Sequence, residues 1–512
     1  MIRWLVLALA AGPAMAEVQF IDRSGDLPVQ HIYSGGWEHF VGGGVAVLDC
    51  NGDALPDLYV AGGTAPARLF VNATASPGAA LRFALGDAGG LTDVTGAYPL
   101  DVDGDGLLDL VVLRVGGNVM LRGQGDCTFR DATEEWGVDP GAAWTTAFSA
   151  TWEGDNALPT LAFGNYVDRD DPEGPFGTCD DNRLLRPEGR RYGAPIALSP
   201  GYCALSMLIS DWAGTGRRDL RVSNDRHYYV REGAEQMIPL DTLQPLTEAE
   251  GWPRLMLWGM GIASRDITGD GLADVMLTSM GDQLLQFARP GGRYENAPYG
   301  FGSYVQRPFT GDDGRPSTGW HAEFGDVNND GWDDLFIAKG NVDQMPGNAS
   351  KDPNNLLIRT PDGPFTDHAA AAGVASPARS RGAALVDLNL DGRLDLVVVN
   401  RRAPLEVHEN ATEAVGNWLA LDLRAEGANT RAVGAWIDLR LPGGRIETRE
   451  ITVGGGHAGG QAGPHHFGLG QADGAEVRLR HNGQVTPWRR LDANARVTLR
   501  LTGEGDLLIA GR

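Results

Sequence analysis

Short apolar runs rich in Val, Leu and Ala recur along the chain, broken by polar clusters of Gly, Asp and Asn. Gly44-Val-Ala-Val-Leu48 stands before one such cluster and Leu58-Tyr-Val-Ala61 after it; Ala383-Ala-Leu-Val386 and Leu396-Val-Val-Val399 flank another. Short β-type runs joined by a tight Gly-containing loop predict hairpins. Beyond residue 410 the texture becomes one of alternation, as in Trp418-Leu-Ala-Leu-Asp-Leu423, Ala435-Trp-Ile-Asp-Leu-Arg-Leu441, Val477-Arg-Leu-Arg480 and Val497-Thr-Leu-Arg-Leu501, separated by Gly and Asn turns. That pattern predicts a small antiparallel β domain. The 72 glycines in 512 residues favour turns over long helices.

The polar clusters are copies of one nine-residue pattern, with Asp, Asn or Thr at positions 1, 3 and 5, usually Gly at 6, and Asp at 9. Five copies are intact: Asp49, Asn51, Asp53 and Asp57; Asp101, Asp103, Asp105 and Asp109; Asp266, Thr268, Asp270 and Asp274; Asp326, Asn328, Asp330 and Asp334; Asp387, Asn389, Asp391 and Asp395. Two eroded copies lie between them, one with Thr151, Glu153, Asp155 and Pro159, the other with Asp211, Ala213, Thr215 and Asp219. Starts at 49, 101, 151, 211, 266, 326 and 387 define a near-constant period, the signature of a repeat architecture. Each period has room for about four strands, the content of one propeller blade. A further element, Leu91-Thr-Asp93-Val-Thr95, Phe129-Arg-Asp131-Ala-Thr133 and Phe365-Thr-Asp367-His-Ala369, precedes a loop each time and occurs also as Phe20-Ile-Asp22-Arg-Ser24, but not after the seventh loop. The segment near residue 20 is therefore expected to supply the outer strand of the last blade and close the ring.

Oxygen side chains at alternate positions of a tight turn converge on one small volume and repel one another unless a cation sits among them. Ca²⁺, which takes six to eight oxygens at about 2.3–2.6 Å in irregular geometry, suits such a loop better than Mg²⁺. The expected ligands are the side chains at positions 1, 3, 5 and 9 of the five intact loops, with the carbonyl of position 7, for about five Ca²⁺ ions. The third loop is expected to bind none, and the fourth lacks the oxygen at position 3. An EF-hand is excluded, because position 12 is Val60, Val112, Leu277, Ile337 or Val398 rather than Glu.

The formal charge is −24, from 43 Lys+Arg against 67 Asp+Glu, which argues against nucleic acid or an anionic membrane as partner. Residues 1–16 have a basic start, the apolar run Trp4 to Ala11 and an Ala14-Met15-Ala16 end, the form of a secretory signal; no later apolar run is long enough to span a bilayer. Export makes Cys50, Cys127, Cys179 and Cys203 candidates for disulfides. Of three possible connectivities, Cys179 with Cys203 is favoured because it closes an irregular Pro-rich segment; Cys50 with Cys127 follows by elimination.

The loops resemble the FG-GAP/VCBS repeats of integrin α-subunit-like propellers, over roughly residues 18 to 410. That resemblance implies a seven-bladed β-propeller with Ca²⁺ stiffening hairpin loops on one face. Asn417-Trp-Leu-Ala-Leu421, Asn429-Thr-Arg-Ala-Val-Gly-Ala435, Gly454-Gly-Gly-His457-Ala-Gly-Gly-Gln461 and His465-His466-Phe-Gly-Leu-Gly470 are similar to the ASPIC/UnbV domain. The layout, residues 17–410 as propeller and 411–512 as β domain behind a signal at 1–16, resembles the cartilage acidic protein family and its bacterial relatives.

His457, His465 and His466 form the most suggestive catalytic or Zn²⁺-type cluster, but they lack evident acidic partners, and adjacent histidines in an extended segment face opposite sides. No nucleophile elbow, P-loop or H-E-x-x-H is present. The expectation is a secreted or periplasmic, monomeric, non-enzymatic binding module for protein or glycan. The alternative is a carbohydrate-active hydrolase or lyase, for which Asp170-Asp171, Asp180-Asp181 and Asp312-Asp313 are the available carboxylate pairs.

Overall fold

The computed structural model describes residues 17–171, 177–225, 233–304, 315–343, 345–361 and 363–511. The signal-type segment 1–16 and the pair Asp312-Asp313 lie outside them.

Each loop of the repeat joins the first two strands of a sheet. In the second sheet, Val94–Leu100 pairs antiparallel with Asp109–Arg114, which pairs with Val119–Gly123 and then Phe129–Asp131. The same up-and-down order starts at Val45–Leu48, Thr145–Thr151, Ala204–Ser210, Gly259–Arg265, Gly319–Gly325 and Arg379–Val386, giving seven such sheets among the described residues. The seven first strands stand side by side, each against the next, and Arg379–Val386 returns to Val45–Leu48. This is a β-propeller. Four of its inner strands, Val45–Leu48, Val94–Leu100, Thr145–Thr151 and Ala204–Ser210, are buried along their whole length, because neighbouring sheets cover both faces. Six of the seven inner strands carry a register shift near their start, for example between Val94 and Gly96, which sharpens the local twist near the axis.

The ring closes as the repeat pattern requires. Phe20–Asp22 pairs with Glu406–Asn410, Phe20 opposite Asn410, and completes the seventh sheet from the other end of the propeller segment. Both expected disulfides form, Cys50–Cys127 between the first two sheets and Cys179–Cys203 across the segment that carries the outer two strands of the third, Asn182–Leu185 and Ile196–Leu198. Among the described residues no helix is long and apolar enough to cross a membrane.

The C-terminal domain has two sheets. One runs His465–Gly470, Asn417–Ala425, Ala495–Leu501 and Leu507–Gly511; the other is built on Trp436–Arg440 between Ile446–Glu450 and Gly474–His481. Leu419, Leu421, Leu423, Ile437, Leu439, Val477 and Leu499 form its core. The pairs are antiparallel except Asn417–Ala425 with Ala495–Leu501, which run parallel over Leu419 to Ala425. Parallel neighbours need a long crossover, which the second sheet supplies; alternation alone carries no strand direction.

Candidate metal loops and the interdomain face

The nine-residue loops fold by their own carboxylates. In the second loop Asp101 Oδ1 accepts the amides of Gly104 at 2.9 Å and Asp105 at 3.2 Å, and Oδ2 that of Gly106 at 2.8 Å. Asp105 Oδ1 accepts Leu107 N at 2.9 Å. Asp109 ties the loop to the sheet: Oδ2 takes Val102 N at 2.7 Å and Oδ1 takes Gly123 N, in the third strand, at 2.9 Å. The same two-sided bond recurs at Asp57, Asp274, Asp334 and Asp395. Position 6 is left-handed throughout, with Gly106 at φ +90°, Gly271 at +85°, Gly331 at +89° and Gly392 at +84°. The first loop has Ala54 there at φ 77°, a conformation that costs an L-residue on the order of 1 kcal/mol.

The second loop brings the expected ligands closest together. One oxygen from each of Asp101, Asp103 and Asp109 lies within 4.8 Å of the others. Asp103 Oδ1 is buried without a hydrogen-bond partner, although Arg122 Nη2 sits 2.7 Å from its Oδ2 and 2.9 Å from Asp105 Oδ2. Burial, reinforced by neighbouring carboxylates, pushes Asp109 up to about 8, Asp57, Asp266 and Asp387 to about 7, and Asp274 to about 6; Asp326, Asp334 and Asp395 also rise well above the carboxylate range. Hard oxygen donors crowded at the cost of ionisation suit a hard divalent cation.

The other loops engage position 3 differently. Asn51, Asn328 and Asn389 each accept the amide of position 5 through Oδ1, at 3.1, 3.1 and 3.2 Å. Thr268 instead donates its amide to Asp274 at 2.9 Å. Asp53, Asp270, Asp330 and Asp391 cap the amide of position 7, as Asp105 does. Asp49, Asp266, Asp326 and Asp387 cap the turn as Asp101 does. A further grouping, Cys50, Asp57 and Cys127, offers no thiolate ligands because its sulfurs are bonded to each other.

The eroded loops hold arginine. Arg186 grips Glu153 of the third loop through Nε at 2.8 Å and Nη2 at 2.9 Å. Arg217 Nη2 lies 2.9 Å from Asp219 of the fourth. Arg186 lies outside the loop pattern and far in sequence from Glu153, so the sequence pattern does not reveal this pairing.

The loops form one face, and the C-terminal domain docks on it. Thr430 Oγ1 donates to Asp101, His466 Nε2 meets Asn329 Oδ1 at 2.7 Å, Arg449 Nη2 lies 3.0 Å from Asp333, and Glu450 accepts Asp211 N at 3.1 Å. From this domain the glycine-rich segment 453–462 inserts into the propeller axis and bonds to the inner strands of all seven sheets. The bonds are Gly460 O from Val47 N, Ala458 O from Ala97 N, Val453 O from Ala150 N, Gly455 N to Met207 O, Gly456 N to Ile262 O, His457 N to His321 Nδ1, and Gln461 Nε2 to Leu385 O. Glycine is required on both sides: a Cβ on Gly44 or Gly96 would lie 1.8 Å from Ala458 O, and one on Gly459 would lie 2.2 Å from Val45 O.

The three histidines therefore do not form one cluster. His457 sits in the channel, where its Nε2 accepts Gly42 N at 3.1 Å and its Nδ1 donates to Met260 O at 3.2 Å. His465 and His466 lie under the docked domain, where Trp418 stacks on His466 at 6.0 Å. Burial pushes each of the three down to about 3, so all are neutral near pH 7. Asp180 is raised to about 6 by burial and by Asp168, Asp181 and Asp170.

Fold and loops together define a β-propeller with Asp-rich hairpin loops and an appended β domain. Residues 49–112 and 326–398 match the FG-GAP-like repeat family, and residues 425–505 match the family described as ASPIC and UnbV. No curated protein matches the chain. Similar solved structures include BBS1N in complex with ARL6DN (10% identity, TM-score 0.45, covering 78% of this chain and 99% of that one). The BP39L lectin from Burkholderia pseudomallei is similar at 13% identity and TM-score 0.42, covering 73% and 97%. An Agrocybe aegerita lectin that recognises non-reducing terminal N-acetylglucosamine is similar at 15% and 0.37, covering 72% and 94%.

Proposed function

We propose that this chain is an exported, calcium-stabilised propeller of the cartilage acidic protein-like type, seven-bladed and monomeric, which binds an extracellular or periplasmic protein or glycan without turning it over. The observation that carries the metal is the second loop, where three carboxylates converge and the buried Asp103 Oδ1 has no protein donor. The side chains at positions 1, 3, 5 and 9 of the five intact loops would hold Ca²⁺, which supplies positive charge and chemistry of no other kind. The rest of the chain pre-shapes those loops through backbone amides, so little ordering is left for the ion to impose. Two disulfides fit an oxidising compartment.

A binding role is supported by where the polar groups go. The loop carboxylates are committed to loop closure, and the channel histidine His457 is neutral and bonded through both ring nitrogens. Metal analysis of the purified, chelator-stripped and reloaded protein tests the first half of the reading, with bound calcium expected; calcium-free protein whose melting is indifferent to excess EGTA overturns it. A glycan and protein array with and without chelator tests the second, with retention expected; formation of product overturns the non-enzymatic assignment.

A further inference from the structure

Between the loop face and the C-terminal domain lies a cavity of about 420 Å³, within the range of small-molecule sites. Its far wall is the outward face of strand Asn417–Ala425. Leu419, Leu421 and Leu423 of that strand point into the domain core, so period-two alternation sends Trp418, Ala420, Asp422 and Arg424 to the other side, and all four border the cavity. A sheet face covered by another domain is ordinarily apolar and filled; this one is charged and faces open volume. Pro77 and Gly463, both exposed, stand in the wall, so the cavity is open to solvent.

The charges match in number, but the guanidinium donors are not all met. Five arginines border the cavity, and two of them, Arg265 and Arg449, are held by Asp333 at 3.3 and 3.0 Å. Of the remaining three, Arg424 and Arg431 share Asp422 at 2.9 and 3.2 Å, Arg431 Nε is buried without a hydrogen-bond partner, and Arg496 donates to the carbonyl of Ala54 beside Asp387. Asp49 and Asp387 also border the space, but their oxygens accept the amides of Gly52, Ala54, Asp391 and Gly392 in their own loops. Burial and then the neighbouring Arg424 push Arg431 down to about 10, against the opposing pull of Asp422, Asp101 and Asp49. On the propeller side Glu323, bonded to Gln461 and to Leu385 N, is an acceptor suited to a hydroxyl.

The geometry points to a binding site for a small carboxylate-bearing polyol, of hexuronic acid size, whose carboxylate is taken by the guanidinium groups of Arg424, Arg431 and Arg496 and whose hydroxyls meet Glu323 and Trp418. Guanidinium forks match planar carboxylates, and the aromatic wall offers the ligand an apolar face. The inference deepens the binding-module reading by naming the ligand class.

Titration calorimetry on the full calcium-loaded chain tests it, with galacturonate and glucuronate as probes, galactose and glucose as uncharged counterparts, and inorganic phosphate as a bare anion. Saturable binding of a hexuronate, with the matching neutral sugar and phosphate each weaker by roughly tenfold or more, is the expected result. Arg424→Met and Arg496→Met should each weaken it by a similar factor. Gly463→Trp removes no ligand group and is built where an added Cβ meets nothing within 4 Å; it should block the mouth while melting and calcium content stay unchanged. Equal binding of acid and neutral sugars, tighter phosphate, no hexuronate binding, or binding untouched by all three variants overturns the site. An array partner whose binding survives Gly463→Trp while hexuronates fail to bind would overturn the cavity alone and leave the module reading standing; an array without any partner would sink that reading separately.

Discussion

In the second loop three carboxylates crowd together and Arg122 reaches only their outer oxygens, leaving Asp103 Oδ1 buried and unmet. In the third loop Glu153, at position 3, is gripped on both oxygens by Arg186, and in the fourth Arg217 covers Asp219. The backbone turn survives where the ligand set does not: Asp211 still caps Thr215 and Gly216 at 2.8 and 2.7 Å, as Asp101 caps its own loop. The turn and the cation are thus separable. Backbone amides shape the loop; a guanidinium settles the charge of the eroded copies, and the proposed ion would do the same in the intact ones.

That contrast is most exposed to chelation. Stripping the protein with EGTA should lower its melting temperature strongly, because each ion bound only by the folded state adds about 2.7 kcal/mol when its concentration is a hundredfold above its Kd. Differential scanning calorimetry with and without Ca²⁺ measures this, and an unchanged transition would erase the distinction between the two kinds of loop. Asp109→Ala comes next. It removes the acceptor for Val102 and Gly123 amides as well as a ligand, and should cost about 3 kcal/mol. A smaller penalty in EGTA than in calcium, read from denaturant unfolding, would separate the ligand from the staple.

Acid titrates the loop carboxylates as well, so the channel is read from the difference between the parent chain and a His457 variant at each pH. His457 has its ordinary 6.5 pushed down to about 3 by burial, with Arg381 and His321 adding repulsion and the carbonyl of Met260 opposing. The unfolded chain therefore takes up this proton first, so the stability tied to the neutral ring is complete above pH 6.5 and is lost as pH falls towards 3. His457→Asn should flatten the acid limb of melting temperature against pH, both in calcium and at matched ionic strength without it. A limb that disappears only in the calcium-loaded protein would mean that channel and loops are coupled. The smallest effect is expected for Arg186→Met. The pair is about one-third exposed, so its loss should cost about 1 kcal/mol and leave the calcium response of the melting curve intact.

Much of this architecture was legible because it is local. The recurring nine-residue pattern located the hairpins and the strands that flank them, and the absence of the Phe-x-Asp-type element after the seventh loop pointed to Phe20–Asp22 as the closing strand, which pairs as expected. Chemistry that depends on distant partners was not legible. Arg186 reaches Glu153 across 33 residues, and Ala458 meets Gly44 and Gly96 across more than three hundred. Their only trace in the sequence is glycine on both sides, Gly44 and Gly96 on the strands and residues 454–456 with Gly459 and Gly460 on the insert, which reads equally well as ordinary turns. The histidines misled for a related reason: adjacency in sequence suggested one cluster, whereas the insertion carries His457 to the axis and leaves His465 and His466 outside it.

Residues 453–462 act on the ring as a hub acts on spokes. Ordinary propeller sheets can open one at a time, each giving up only its contacts with two neighbours. Here every inner strand is also pinned to one common segment, so loosening a single sheet disturbs a hydrogen bond shared with the centre. Fraying is thereby converted from a local event into a collective one, and the amides of Ala97, Gly455 and Gly456 become slow-exchange reporters of whole-molecule opening. The hub is a lock on the clock of the molecule's opening rather than on its shape.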